Sequence, residues 1–213
     1  MIPSLLSLLY PPLCLSCEDA LHDQDRLLCD HCSSLLELVD PSNTECLPFS
    51  GVESAFEYLG PAAAMVKKLK YGGLAYLAKP LAAFLVTQWT NLDWPVPDIV
   101  IPVPVSWDRK MQRGYNQSAL IGQEFAALMK CSYREPLERL VGDYSQAGLS
   151  HHQRTLLKES RFRLKNGGEV QDKIVCIIDD VTTTGKTLEQ CGRVLLGGHP
   201  SKIYGLTVCK TKD

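Results

Sequence analysis

Residues 175–187 read VCIIDDVTTTGKT, and the way this stretch ends decides the fold. Four apolar residues run without interruption into two adjacent aspartates. A string of threonines then ends at a glycine, and KTLEQCGRVLLGG (186–198) follows with helical character. A continuous apolar run of this length is the signature of a strand buried on both faces, as in a parallel sheet. The carboxyl end of such a strand, where it turns into a helix, is where α/β proteins place their ligands. The free amides of a helix's first turn attract anions there.

Working outward, PDIVIPVPVS (97–106) and KIYGLTVCK (202–210) read as further strands, and VESAFEYLG (52–60) as a strand pair or a strand and turn. PAAAMVKKLKYGG (61–73) has helix formers after a proline start and stops at Gly72-Gly73. AYLAKPLAAFLVTQW (75–89) continues as a helix, with Pro80 marking a break or a first turn. SALIGQEFAALMK (118–130) is an amphipathic helix with Ser118 as candidate cap, and WDRKMQRGYNQ (107–117) reads as a loop. Strands alternating with helices imply right-handed crossovers and a parallel sheet. The expected fold class is therefore α/β. No repeat or low-complexity tract interrupts it.

The totals agree with one sizeable α/β domain and a small appendage: 213 residues, 45% apolar, 22% charged. A net charge of −2 gives no global attraction to nucleic acid or anionic membrane. No apolar run approaches the ~18 residues of a membrane span. MIPSLLSLLYPPLC (1–14) lacks the basic leader and small-residue cleavage site of a secretion signal. Ile2, Leu5, Leu6 and Leu9 instead fall at helical spacing, which reads as a short amphipathic helix docked on the body, with a peripheral membrane contact as the alternative. A cytoplasmic location follows as an expectation.

Nine cysteines are many, and five lie in the first 46 residues. An odd number without an export signal argues against a disulfide framework. Cys14 and Cys17 form one CxxC pair, Cys29 and Cys32 another, with eleven residues between them. Tetrahedral Zn²⁺ takes four thiolates, and each CxxC turn presents two. Residues 1–50 hold too few regularly spaced apolar side chains for a core of their own, so a structural zinc would supply much of their folding free energy. His22 and His31 stand near enough in sequence to substitute, and Cys46 has no partner cysteine. PSNTECLPFSG (41–51) is turn-rich and marks the boundary between a knuckle, 1–50, and a body, 51–213.

The GKT at 185–187 matches the end of a nucleotide-binding P-loop, but the position that loop needs as its first glycine is Asp180. A carboxylate there would repel a triphosphate. An ordinary helix cap accounts for one aspartate and one threonine, not for DD followed by TTTG. A ligand with a phosphate and vicinal hydroxyls accounts for all of them. The turn from Val181 through Thr182, Thr183, Thr184, Gly185, Lys186 and Thr187 would hold the phosphate, while Asp179 and Asp180 accept charge-assisted hydrogen bonds from a cis-diol. A Mg²⁺ ion would screen the paired acids. The molecule that fits is a ribose 5-phosphate derivative.

The same stretch resembles the 5-phosphoribosyl diphosphate (PRPP) loop of type I phosphoribosyltransferases. Together with the four-cysteine knuckle, IPVPVSWDRKMQRGYNQS (101–118) and GLSHHQR (148–154), nearly the whole chain resembles the competence protein F (ComF/GntX) family of bacteria. The resemblance implies a phosphoribosyltransferase-like domain behind a zinc knuckle and a role in DNA uptake during natural transformation, beside other uptake proteins. The family pattern after GLS is largely lost in SHHQRTLLKES (150–160), which keeps Arg154. An active transferase remains the alternative, with Mg²⁺, PRPP and an acceptor base or amine. Asp179, Asp180, Arg109 and Arg113 are its candidate catalytic groups, the arginines facing a departing pyrophosphate together with Lys110. Against it, no general base is marked, and the sequence given ends soon after its last helix, without a hood to recognise a nucleobase. HHQRTLLKESRFRLK (151–165) is a basic strip; Arg154, Lys158, Arg161 and Arg163 are candidate contacts to single-stranded DNA, with Tyr144 and Phe162 either stacking on bases or sitting in a core. Lys67, Lys68 and Lys70 read as a solvated helix face.

Overall fold

The computed structural model describes residues 12–21, 23, 26–41, 44–140 and 161–211. The expected N-terminal helix, His22, Tyr144, Arg154 and Lys158 lie outside them. In chain order the elements are α1 (Asp30–Ser34), β1 (Thr44–Cys46), β2 (Phe49–Glu57), α2 (Gly60–Tyr71), α3 (Ala78–Asn91) and β3 (Ile99–Pro102). Next come α4 (Trp107–Arg113), α5 (Gln117–Met129), β4 (Ser132–Tyr133), β5 (Leu137–Arg139) and β6 (Phe162–Leu164). The chain closes with β7 (Ile174–Thr182), α6 (Lys186–Leu195) and β8 (Lys202–Lys210).

The main sheet runs β1-β2-β8-β7-β3-β4. β2, β8, β7, β3 and β4 are parallel, and only β1 is antiparallel, paired to β2. Alternation along β7 feeds two cores. Cys176 and Ile178 join a cluster with Leu69, Leu85, Ile121 and Phe125 from α2, α3 and α5. Val175 and Ile177 join a second with Leu188, Cys191 and Leu195 from α6. Both faces are covered, which is why the strand reads as uninterrupted apolar sequence. The knuckle is not isolated: Cys14, Leu21, Leu28 and Cys32 belong to the first cluster.

The topology fixes where a ligand can enter. β3 connects through α5 to β4 on one side, while β7, hydrogen-bonded to β3, connects through α6 to β8 on the other. Neighbouring parallel strands whose connections diverge leave a crevice between their carboxyl ends. Here those ends are Pro102 and the Asp179–Thr182 tip.

Several local expectations need correction. Trp107–Arg113 is a helix, not a loop: Ser106 leads in with extended backbone, Asp108 sits in the first turn, and Lys110 and Arg113 complement the last. Gly114 ends it at φ 81°, a conformation a side chain would strain. None of its residues is buried, so it left no apolar period to read. Ser118 is not the cap of α5. Asn116 is, accepting from the Ser118 amide at 3.1 Å. Phe162 is core at 1% exposure and does not stack on bases. Two open alternatives are decided: VESAFE is a single strand, not a strand pair, and Pro80 marks the first turn of α3, not a break. β4 and the β5–β6 pair were not expected.

Candidate functional site

Asp179 and Asp180 sit at the tip of β7 beside the crevice, and each is held by a different element. The Ser118 hydroxyl, at the start of α5, donates to Asp179 Oδ1 at 2.8 Å. The Asp180 amide donates to the same oxygen at 2.9 Å. Burial and then the neighbouring Asp180 charge push the Asp179 carboxyl up to about 7, against the lowering effect of those two donors. Asp180 is 7% exposed, and its Oδ1 lies 2.9 Å from Lys70 Nζ at the end of α2. The chain thus answers the like-charge problem of its DD pair by two routes: a hydroxyl for one acid and an ammonium for the other.

The turn after the acids closes on α6. Asp179, Val181, Thr182, Thr183, Thr184, Gly185, Lys186, Thr187 and Leu188 line a cavity of about 40 Å³. Gly185, at φ 71°, caps α6 without a side-chain hydrogen bond, leaving the first-turn amides toward that space. Thr183, Thr184, Lys186 and Thr187 are exposed there. Of the residues from Asp179 to Thr187, all but Asp180 line this one small hollow.

The basic residues separate into two groups. Arg113 turns toward α2: its Nη1 donates to Gln117 Oε1 at 3.0 Å, its Nη2 to the Tyr71 hydroxyl at 3.3 Å, and its guanidinium lies 4.9 Å from the Tyr71 ring centroid. The Tyr115 hydroxyl donates to Leu69 O at 2.6 Å. Leu69, Lys70 and Tyr71 therefore clasp the acidic tip and the RGYNQ segment together. Arg109 and Arg161 stand near Arg139; burial first, then these two neighbouring charges, hold the Arg139 guanidinium below its ordinary value. Arg163 and Lys165 both pair with Glu138, so the strip's charge is partly spent within the fold.

Sequence reasoning missed Ser118 as a donor, Lys70 as a counter-ion and Arg139. Ser118 and Lys70 stand at helix ends on segments already singled out, but only the packing of α2 and α5 against β7 reveals their targets.

In the knuckle the four thiols of Cys14, Cys17, Cys29 and Cys32 all lie within 4.8 Å of one another. Cys17 and Cys29 Sγ are 3.7 Å apart. A tetrahedron with ~2.3 Å metal–sulfur bonds has edges of about 3.8 Å, so the donor set fits a closed four-thiolate site. The amides of Cys29 and Cys32 point at Cys14 and Cys29 Sγ, each at 3.4 Å. For Cys14, burial opposes ionisation, but amide hydrogen bonds from Cys17, Cys29 and Ser16 outweigh it and bring the thiol down to about 6. His31 is exposed and outside this cluster.

The α/β class expected from the sequence is the one observed: a parallel sheet flanked by helices, with a small four-cysteine cluster at the front. No helix among the described residues is long and apolar enough to cross a membrane. No family model matches the chain. It is 28% identical over 217 aligned positions to DNA utilization protein YhgH of Salmonella typhimurium, covering 97% of this chain and 93% of that protein. It is 26% identical over 190 residues to competence protein F of Haemophilus influenzae, covering 84% and 83%. Among solved structures, glutamine phosphoribosylpyrophosphate amidotransferase from B. subtilis superposes with a TM-score of 0.46 at 13% identity, over 67% of this chain and 30% of that one. A superposition this loose adds no weight to the topology itself. On sequence, the chain is similar over most of its length to competence protein F and to DNA utilization protein YhgH.

Proposed function

We propose that this protein binds PRPP, or a closely related ribose 5-phosphate ligand, and serves DNA uptake in the cytoplasm with a structural zinc in its knuckle. One observation carries the reading. Two adjacent carboxylates at the switch point, separately held by Ser118 and Lys70, lead directly into a hydroxyl-rich turn at a helix N-terminus. Asp179 and Asp180 would accept the ribose hydroxyls, and Val181 to Thr187 would hold the 5′-phosphate with amides and hydroxyls. Cys14, Cys17, Cys29 and Cys32 would ligate the zinc; with four protein ligands its role is to stabilise, not to react. Mg²⁺ would accompany the pyrophosphate of PRPP and spread its charge.

The names of the relatives, competence protein F and DNA utilization protein, support the assignment to DNA uptake. For a direct DNA contact the support among the described residues narrows to Arg161, which stands near Arg139 with Arg109, because Arg163 is engaged by Glu138; Arg154 and Lys158 lie outside those residues.

Calorimetry of PRPP with and without Mg²⁺ tests the reading. Binding is expected in the wild type and lost when Asp179→Asn and Asp180→Asn are combined. Absence of any heat with the wild type would refute it. Release of pyrophosphate from PRPP in the presence of some acceptor would instead establish the transferase alternative.

A further inference from the structure

Lys70 is the feature of the site that no motif anticipates. Its side chain is 16% exposed and that of Asp180 10%, and they meet at 2.9 Å. A lysine that far from water is held there for a partner, since an ammonium leaves solvent only at a cost that a carboxylate offsets. It is also anchored from behind. Tyr115 fixes the Leu69 carbonyl on one side, and Arg113 stacks on Tyr71 on the other. The ammonium is therefore presented to the acidic tip by a braced helix end, not by a free surface chain.

A phosphorylated ribose brings negative charge to a site that already carries two carboxylates. A divalent cation is the usual remedy. We propose, resting on the phosphoribosyl reading above, that Lys70 is a built-in counter-cation that lets the site bind a ribose 5-monophosphate end without Mg²⁺. It engages Asp180 through Oδ1, which leaves the second carboxylate oxygen for a sugar hydroxyl. Lys70 is thus a positioning residue: it acts through Asp180 and by charge. Mg²⁺ is then needed only for a ligand that also carries pyrophosphate.

The test is calorimetry of ribose 5-phosphate, with and without Mg²⁺, against wild type, Lys70→Met and Lys70→Arg. Circular dichroism and thermal melting confirm that each variant is folded. Wild-type affinity should be the same in both buffers. Lys70→Met should weaken binding roughly tenfold to thirtyfold without Mg²⁺, the scale of one unit charge acting on the phosphate across roughly 8–12 Å at an effective dielectric of about 20, and Mg²⁺ should restore most of it. Lys70→Arg should stay near wild type.

Equal weakening in both buffers would mean Lys70 only supports the fold, and would overturn the inference. Unchanged or tighter binding by Lys70→Met would overturn it too, making the lysine a bystander or a latch that ligand must displace. A Lys70→Arg variant as weak as Lys70→Met would show that charge is not the cause. In each of these cases wild-type binding persists and the phosphoribosyl reading stands. A wild type that binds neither ribose 5-phosphate nor PRPP removes both.

Discussion

Asp179→Asn should make this protein more stable at pH 8 and leave it nearly unchanged at pH 4. Burial and the Asp180 charge raise the Asp179 carboxyl from 3.8 to about 7. Below about pH 3 it is mostly protonated in the folded and unfolded chain alike, and at pH 4, where the unfolded chain is roughly half ionised, its ionisation still costs folding only about 0.6 kcal/mol. Between 4 and 7 the unfolded chain releases the proton while the folded chain keeps it. The folded state then binds more protons, and stability falls as pH rises. Above about 7 the whole penalty persists. A gap of about three pH units corresponds to a ceiling of ~4 kcal/mol, and partial solvent access reduces the working figure to about 2 kcal/mol. Asparagine keeps a carbonyl oxygen for the Ser118 hydroxyl, so that hydrogen bond need not be lost. Urea unfolding of both proteins at pH 4 and pH 8 reads the effect, and a melting-temperature gain of roughly 4–8 °C should accompany it at pH 8. An Asp179→Asn protein that is less stable than wild type at pH 8, or equally shifted at both pH values, would refute the reasoning. The cost fits a group retained for binding, because functional sites commonly hold charge that the fold alone would discard.

Metal analysis of purified protein should find one zinc per chain; Cys29→Ser should abolish it, and chelation should lower the melting temperature of the wild type. Ser118→Ala removes a donor that favours the ionised form, so NMR titration should place the Asp179 carboxyl higher than in the wild type. Gly192→Ala should destabilise by about 1–3 kcal/mol in denaturant unfolding despite alanine's better helix propensity, because the added methyl would fall 2.7 Å from Pro48 Cγ and 2.9 Å from Phe49 Cζ.

Legibility in the sequence followed burial. β7, α5, α6 and β8 announced themselves because their apolar residues repeat at the period of the element that buries them. The helix α4 did not, since it buries none of its residues and rests on end signals alone. β4, β5 and β6 are two or three residues long, too short for a period to develop. At the site, Asp179 through Thr187 could be found because they are contiguous, as the four cysteines could by their spacing. Lys70 could not. Its sequence neighbours Lys67 and Lys68 are ordinary surface charges, and the difference arises where α2 ends against β7, a long-range contact that no local pattern encodes. Arg109 and Arg113 group in the sequence because both lie just beyond the proline-punctuated strand at 97–106. The structure sends one toward Arg139 and the other toward Tyr71.

The decisive experiment is a crystal structure of the protein with PRPP and Mg²⁺, which locates the phosphate and the ribose directly. The 5′-phosphate is expected within hydrogen-bond reach of the amides between Thr182 and Thr187, and the ribose hydroxyls on Asp179 and Asp180. Ligand bound elsewhere, with Asp179 still held by Ser118 and the Asp180 amide and Asp180 by Lys70, would overturn that expectation.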